Sequence, residues 1–113
     1  MEPVVVYDLA EVTVTHEPGH PDEVVAGQPS TGAVSVTTLD GPGVEIGIWE
    51  MTVGAVRDTE AEEAFLVLSG RATIATGGET YEVKPGDLVR LTAGTPTVWR
   101  VTEPIRKLYI TGR

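Results

Sequence analysis

The chain has 113 residues, with 17 acidic against 8 basic side chains and a formal net charge of −9. This length allows one domain with a single modest core, and the lack of any Lys/Arg cluster argues against nucleic acid or an anionic membrane surface as a partner. Because the chain has no cysteine, disulfides, thiolate catalysis and Cys-ligated zinc are excluded.

Residues 1–32 are predicted to form an N-terminal arm of strand and loop that packs on the rest of the domain. The segments PVVVY and EVTVT are candidate edge strands, and the polar stretch after them is rich in Pro and Gly, as loops are. The N-terminus lacks the basic region and the long apolar region of a signal peptide, so we expect a cytosolic protein.

Two histidines of the arm, His16 and His20, have the four-residue spacing at which a helix presents both side chains to one metal ion. Pro18 and Gly19 lie between them and break such a helix. We therefore expect exposed loop histidines, with a metal site inside the loop as the alternative.

Residues 33–113 have the turn and strand signals of an all-β domain. Gly77-Gly78 predicts a tight hairpin, because a type I′ turn needs a positive φ at both of its central positions. Short strands at regular spacing are typical of a sandwich or a barrel. The predicted strands cover residues 33–39, 45–51, 64–69, 71–76, 80–84, 88–91, 97–102 and 107–111.

Two glycine-bounded segments resemble the two motifs of the cupin family. GAVRDTEAEEAFLVLSG (residues 54–70) resembles cupin motif 1, and GDLVRLTAGTPTVWRV (residues 86–101) resembles motif 2. GIWEMTVG, KPGDLVRLTAG and VWRVTEPIRKLYI resemble the small single-domain cupins related to (S)-ureidoglycine aminohydrolase and ethanolamine-utilisation proteins. The resemblance implies a single-domain, all-β cupin-type double-stranded β-helix (a jelly-roll barrel) and a homodimer, and it assigns no activity.

The resemblance also implies that most of the family's metal ligands are replaced. The paired histidines of motif 1 correspond to Arg57 and Thr59, the motif glutamate to Glu63, and the histidine of motif 2 to Thr97. One carboxylate and two hydroxyls cannot compete with water for zinc, iron or copper, and a neighbouring guanidinium repels a cation. We therefore expect no metal and no cofactor, although one carboxylate leaves weak binding of a divalent cation open.

Strand alternation then predicts the lining of a pocket inside the barrel. Trp49 and Glu50 point to opposite faces of one strand, so the sequence leaves open which of them lines the pocket. Arg106, Lys107 and Tyr109 are expected at a solvated edge with surface ion pairs. The predicted pocket residues are Trp49, Glu50, Arg57, Thr59, Phe65, Thr97 and Trp99, with Glu63 as the candidate catalytic residue.

Three functions remain open from the sequence. The first is metal-free binding of a small polar or anionic molecule, with Arg57 and Glu63 at the pocket mouth. The second is a small-molecule enzyme, similar to (S)-ureidoglycine aminohydrolase, that uses Glu63 as general acid or base or an irregular metal site drawn from Glu60, Glu62, Glu63 or the N-terminal histidines. That acid/base role needs an unpaired Glu63, whereas pairing with Arg57 or another basic residue would make it structural. The third is a dimerisation domain without a ligand.

The acidic patch from Glu60 to Glu63 has a simpler interpretation as well. Three carboxylates in four residues are most often a solvated surface turn. On this interpretation Glu60 and Glu62 contribute nothing to a pocket.

Overall fold

The computed structural model describes residues 2–112, and nearly all of its regular structure is β-strand. Met1 and Arg113, the ends of the predicted arm and barrel, lie outside the described residues. No helix formed by residues 2–112 is long and apolar enough to cross a membrane. A 3-10 turn at Leu9–Glu11 precedes nine strands: β1 (Glu17–Pro18), β2 (Val24–Ala26), β3 (Ser30–Leu39), β4 (Val44–Met51), β5 (Gly54–Thr59), β6 (Glu63–Thr76), β7 (Glu79–Val83), β8 (Leu88–Leu91) and β9 (Pro96–Gly112).

The two longest strands, β6 and β9, pair antiparallel along most of their length and form the centre of the fold. On the other edge of β9, the first half pairs with β5 and the second half with β4. On the other edge of β6, the first half pairs with β8 and the second half with β7. The sheet therefore curls around one interior, which is the jelly-roll arrangement expected from the sequence.

Gly70 lies where β6 shifts its register against β9, and its φ is 87°. A Cβ atom at this position would run into the backbone of Pro104 and Ile105. Only glycine combines this φ with so close an approach of two backbones, so Gly70 allows β6 to bend while its ladder with β9 continues.

The strands predicted for residues 33–113 agree with the structure apart from three differences. Residues 64–69 and 71–76 form the single strand β6, and residues 97–102 and 107–111 form the single strand β9. Strand β5 was not predicted, because the polar run Arg57-Asp58-Thr59 hides the short apolar face of Ala55 and Val56. The predicted hairpin at Gly77-Gly78 is confirmed, with φ values of 56° and 83°.

The interior of the curled sheet is filled by apolar side chains from most of the longer strands. Four members of this interior cluster are completely or almost completely excluded from solvent, and they lie on β4, β6 and β9. These residues are Met51, Phe65, Val67 and Ile105.

The N-terminal arm is anchored on the opposite face of β4 and β9, where Glu50 stands beside Arg106 in the ladder. Glu50 accepts a hydrogen bond from Arg106, and its Oε1 lies 2.7 Å from Nε2 of His16. Arg106 also donates to the carbonyls of Leu9 and Val12, at 2.6 and 2.9 Å. The prediction of edge strands at PVVVY and EVTVT is wrong, since residues 2–8 and 12–16 belong to no strand and this part of the arm is bonded to side chains instead.

Candidate functional site

A buried lysine occupies the interior of the barrel. Lys107 on β9 is 5% exposed, and its Nζ donates to Oε2 of Glu63 at 2.6 Å. The same Nζ lies 4.3 Å from the ring centroid of Phe65, 4.7 Å from that of Trp49 and 4.9 Å from that of Trp99. One carboxylate and three aromatic rings therefore compensate the charge of an ammonium group that has lost its water.

Lys107 and Tyr109 face inward because they continue the alternation of β9. The buried residues of this strand are Thr97, Trp99, Val101, Ile105, Lys107 and Tyr109, all with odd numbers. The prediction that Arg106, Lys107 and Tyr109 lie at a solvated edge is wrong, since β9 is flanked by β4, β5 and β6 and the arm covers Arg106. The parity of Trp99, followed through to the end of the strand, was the signal that could have placed Lys107 and Tyr109 inside.

Glu60, in the loop between β5 and β6, is a second buried charge. It is 8% exposed, and its Oε2 accepts hydrogen bonds from Oγ1 of Thr97 at 2.6 Å and from Nε1 of Trp99 at 2.9 Å. Its backbone is bonded to Thr95 and Gly94, at 2.9 and 2.8 Å, which ties this loop to the turn before β9. Thr97 thus holds a buried carboxylate in place.

The interpretation of residues 60–63 as a solvated turn is correct for only one of the three glutamates. Glu62 is exposed and forms a surface ion pair with Arg90 at 3.2 Å. Glu60 and Glu63 turn into the barrel. Charge density alone could not separate them, because Glu60 lies in a loop where no strand alternation applies.

Tyr109 adds a hydroxyl to the same interior. Its OH donates to Oε2 of Glu45 at 2.6 Å, and burial, followed by this carboxylate, raises the pKa of the phenol. Gly47 stands opposite Tyr109 in the ladder, where a Cβ atom would run into the phenol ring. Gly47 therefore makes the room in which Tyr109 reaches Glu45.

These side chains surround a pocket of about 260 Å³. Asp58 lines it from β5, and partial burial together with the Glu60 carboxylate raises the pKa of Asp58. Larger depressions of about 810, 510 and 740 Å³ exist among the described residues, but no buried charged side chain lines any of them. The lining of the smaller pocket is Ala33, Trp49, Val56, Asp58, Glu60, Ala61, Glu63, Trp99, Lys107, Tyr109 and Thr111.

The structure decides between Trp49 and Glu50. Trp49 lines the pocket, with its ring 5.4 Å from that of Trp99. Glu50 points to the other face of β4, where it binds His16 and Arg106. The prediction that Glu50 lines the pocket is therefore wrong.

Arg57 and Thr59 are exposed and point to the side of β5 opposite to Val56, which lines the pocket. They line an open depression of about 810 Å³ instead, and Asp58 lines both this depression and the pocket. Glu63 is paired, as one interpretation of the sequence required, and its partner is Lys107 rather than Arg57. The cationic group of the site is therefore the ammonium of Lys107 in the interior, and not the guanidinium of Arg57 that was expected at the pocket mouth.

The side chains at the four cupin ligand positions do not fit a transition metal. Arg57 and Thr59 face outward, Glu63 is bonded to Lys107, and Thr97 donates its hydroxyl hydrogen to Glu60. Within residues 2–112 there is no group of three His, Asp or Glu side chains arranged to hold a metal ion.

The N-terminal histidines lie away from the pocket. His16 is bonded to Glu50, and its Nδ1 is 2.8 Å from Oγ of Ser30. His20 lies at the surface, 3.8 Å from Asp22.

A jelly-roll barrel that encloses a small polar site is the architecture of the cupins. The chain belongs to the EutQ-like cupin family, since the model of the EutQ-like cupin domain matches residues 40–109, more than half of its length. The ethanolamine-utilisation side of the resemblance seen in the sequence is thereby confirmed. No curated protein sequence matches the chain at a significant level.

Solved structures agree with this assignment. The EutQ protein of Clostridium difficile superposes with a TM-score of 0.76 at 21% identity, covering 95% of this chain and 85% of its own. A protein of unknown function from Rhizobium leguminosarum gives 0.65 at 29% identity, over 73% of this chain and 80% of its own. A DUF861-family protein from Thermotoga maritima gives 0.53 at 34% identity, over 55% and 73%. These similarities establish a cupin fold and indicate no specific activity.

Proposed function

We propose that the chain binds a small polar molecule in the pocket between Trp49, Trp99, Glu60 and Lys107. The observation that carries this proposal is the Glu63–Lys107 pair, which is buried and yet lines a pocket. Burying two charges costs more than packing apolar side chains of the same volume, so stability alone does not explain the pair. A concave site with a few convergent polar groups is the usual form of a small-molecule site.

The size and charge of the pocket restrict the chemical class of the ligand. At about 260 Å³ the pocket is smaller than most ligand sites, which are roughly 300–1,000 Å³. The expectation of an anionic ligand depended on Arg57, which faces outward. Three carboxylates and one ammonium face the pocket, which favours a polar ligand that donates hydrogen bonds.

An enzyme is a second candidate, and Asp58 supports it. Glu63 accepts a hydrogen bond from the ammonium of Lys107, and this ion pair makes Glu63 a poor general base. The pKa of Asp58 is raised by burial and by the nearby Glu60 carboxylate. A carboxyl group with a raised pKa inside a pocket is a candidate general base, so Asp58 replaces Glu63 as the candidate catalytic residue.

The two tryptophans of the chain give a direct test, because both line the pocket. A library of small polar metabolites is screened by thermal shift, and each hit is titrated by tryptophan emission and by backbone amide NMR. We expect hits that perturb the amides of Asp58, Glu60 and Ala61. A library without any hit, or hits confined to the outer depression at Arg57, would refute binding in this pocket.

A further inference from the structure

We propose that the ligand of this pocket carries a protonated amine, which the carboxylates of Glu60 and Asp58 bind. This inference rests on the proposed function, since it names the chemical class of the molecule that the pocket takes. It concerns the part of the pocket formed by β5 and the β5–β6 loop, whose carboxylates are not bonded to Lys107.

Glu60 is the residue that packing does not explain. Its two side-chain hydrogen bonds come from uncharged donors, Thr97 and Trp99, and both go to Oε2. No Lys, Arg or His among residues 2–112 forms an ion pair with it. Buried carboxylates normally have a cationic partner, so this one lacks the group that would balance it.

The second oxygen of Glu60 is open to the pocket. Its Oε1 makes no hydrogen bond in the described part of the chain. Since no fully buried side-chain oxygen there is left without a partner, Oε1 is reached by solvent, and the cavity that Glu60 lines is the pocket. Two donors therefore fix the carboxylate while one oxygen stays available to a ligand.

The balance of charges around the pocket also points to the carboxylates of Asp58 and Glu60. Lys107 neutralises Glu63, and Glu45 accepts from the uncharged phenol of Tyr109. Asp58 and Glu60 form no ion pair among residues 2–112. Burial, followed by the Glu60 carboxylate, raises the pKa of Asp58, although the charge of Lys107 acts to lower it. A ligand cation between them would remove the repulsion.

An organic ammonium fits this end better than the alternatives. An ammonium donates up to three hydrogen bonds, which suits the free oxygen of Glu60 and the carboxylate of Asp58. The neighbouring Val56 and Ala61 offer an apolar surface for a short carbon chain. An anion would meet two carboxylates, and a transition metal would lack imidazole ligands.

Three probes of matching size separate charge from shape: n-propylammonium, 1-propanol and propionate. Each is titrated at neutral pH against the full chain, and the amide shifts of residues 56–61 and the tryptophan emission are followed. The variants are Glu60→Gln and Asp58→Asn. Glu62→Gln is the matched control, because Glu62 stands in the same loop but points to solvent.

We expect n-propylammonium to bind at least tenfold more tightly than the other two probes. Glu60→Gln is expected to weaken that binding at least tenfold and Asp58→Asn at least threefold, while Glu62→Gln leaves it unchanged. Should Glu60→Gln fail to fold, the exposed Asp58 still tests the inference.

The outcomes separate this inference from the proposed function. If 1-propanol or propionate binds as tightly as the amine, or if neither variant weakens the amine, the amine class is wrong while the pocket remains a ligand site. Magnesium ion that binds at the same amides and competes with the amine at equal concentration would overturn the amine class in favour of a metal. If no probe and no library compound perturbs these amides, both proposals fail.

Discussion

Lys107 and Lys84, the two lysines of the chain, form ion pairs in opposite surroundings. Nζ of Lys84 lies 2.9 Å from Asp87, with 59% of the lysine side chain exposed, whereas Lys107 is enclosed with Glu63 between aromatic rings. A pair in water gains little, because solvent screens it and both side chains lose freedom. A pair inside the barrel cannot lose one partner without leaving a charge that water does not reach.

Lys107→Met is therefore expected to lower the free energy of unfolding by about 3 kcal/mol. Glu63→Leu combined with Lys107→Met should recover much of that loss, because no unbalanced charge remains. Urea unfolding followed by tryptophan emission measures both. Lys84→Met is the control, expected to cost less than about 1 kcal/mol; an equal loss in the two lysine variants would contradict a structural role for the buried pair.

Several residues of the site are predictable from the sequence, and the two most important ones are not. The motifs place Glu63, Phe65, Thr97 and Trp99 on inner faces, since the position of a residue along a strand determines the face to which its side chain points. Glu60 and Lys107 carry charges, and charged side chains are assigned to solvent because most of them are there. Their burial depends on partners from distant parts of the chain, such as Glu63 for Lys107, which no local pattern reveals.

At the scale of elements, the pairing of β6 with β9 depends on one residue. Gly70 allows β6 to change register without ending, so that a single strand serves both halves of the barrel. Alternate residues on both sides of it, Glu63, Phe65 and Val67 before Gly70 and Ala72 and Ile74 after it, then face the same interior.

Gly70→Ala is expected to destabilise the fold by at least about 2 kcal/mol, because backbone strain adds to a steric overlap with Pro104 and Ile105. Gly78→Ala is the control for strain alone, since its φ of 83° is close to the 87° of Gly70 while nothing lies near its Cβ position. Thermal unfolding compares the two variants. Equal losses would show that the close approach of β6 and β9 contributes nothing.

The arm is an element held by charge. Burial acts to raise the pKa of Glu50, but the hydrogen bonds and charges of His16 and Arg106 outweigh it and leave that pKa below its usual 4.5. A carboxyl group with a lowered pKa stabilises the folded chain fully above its unfolded pKa. The contribution is lost as the pH falls below about 4.5 and through the folded pKa.

We therefore expect wild type to lose more stability than Glu50→Gln when the pH is lowered from about 6 to about 3.5. Urea unfolding at the two values measures the difference, and hydrogen exchange at residues 9–16 should be faster in the variant at the higher pH. Glu103→Gln, which removes an exposed partner of Arg71, is the control and should behave as wild type. The same slope in all three proteins would mean that Glu50 does not anchor the arm.

The strands were more predictable than their connections. Alternation and glycine turns located most of them, and the cupin resemblance supplied the barrel. The union of residues 97–102 with 107–111 into β9 was not visible, because Pro104 inside the run argues against a continuous strand. Strand β9 accommodates Pro104 at a register shift, between the pair Ser69–Arg106 and the pair Arg71–Glu103, where the ladder is already irregular.

At the scale of the whole molecule, the most prominent apolar surface is on the arm. Val4, Val5 and Val6 are 76%, 53% and 87% exposed, which is unusual for three consecutive apolar residues. The homodimer expected from the family resemblance stays a prediction, and this segment is where we place its contact.

Light scattering should then give about twice the 12.0 kDa chain mass. Val4→Asp with Val6→Asp is expected to shift the protein to monomer, because two buried charges would oppose each other across a two-fold axis. Leu88→Asp, on a side chain that is 73% exposed on β8, is the control and should leave the mass unchanged. A wild-type protein that is monomeric at about 100 µM would contradict the dimer. A dimer with a binding free energy of only roughly 8 kcal/mol has a micromolar dissociation constant and would already form at that concentration.

The central place of β9 also determines when the barrel can close during synthesis. This strand leaves the ribosome after each of the strands it pairs with, β4, β5 and β6. Until residues 96–112 emerge, these three strands lack a shared neighbour, and Glu63 has no ammonium beside it. Contacts between residues this far apart in the chain form slowly, because the entropy of loop closure is lost before the contacts can stabilise the structure. Nascent chains stalled before β9 should therefore be protease-sensitive. Protection should appear in one step once the last residues of β9 have left the ribosome.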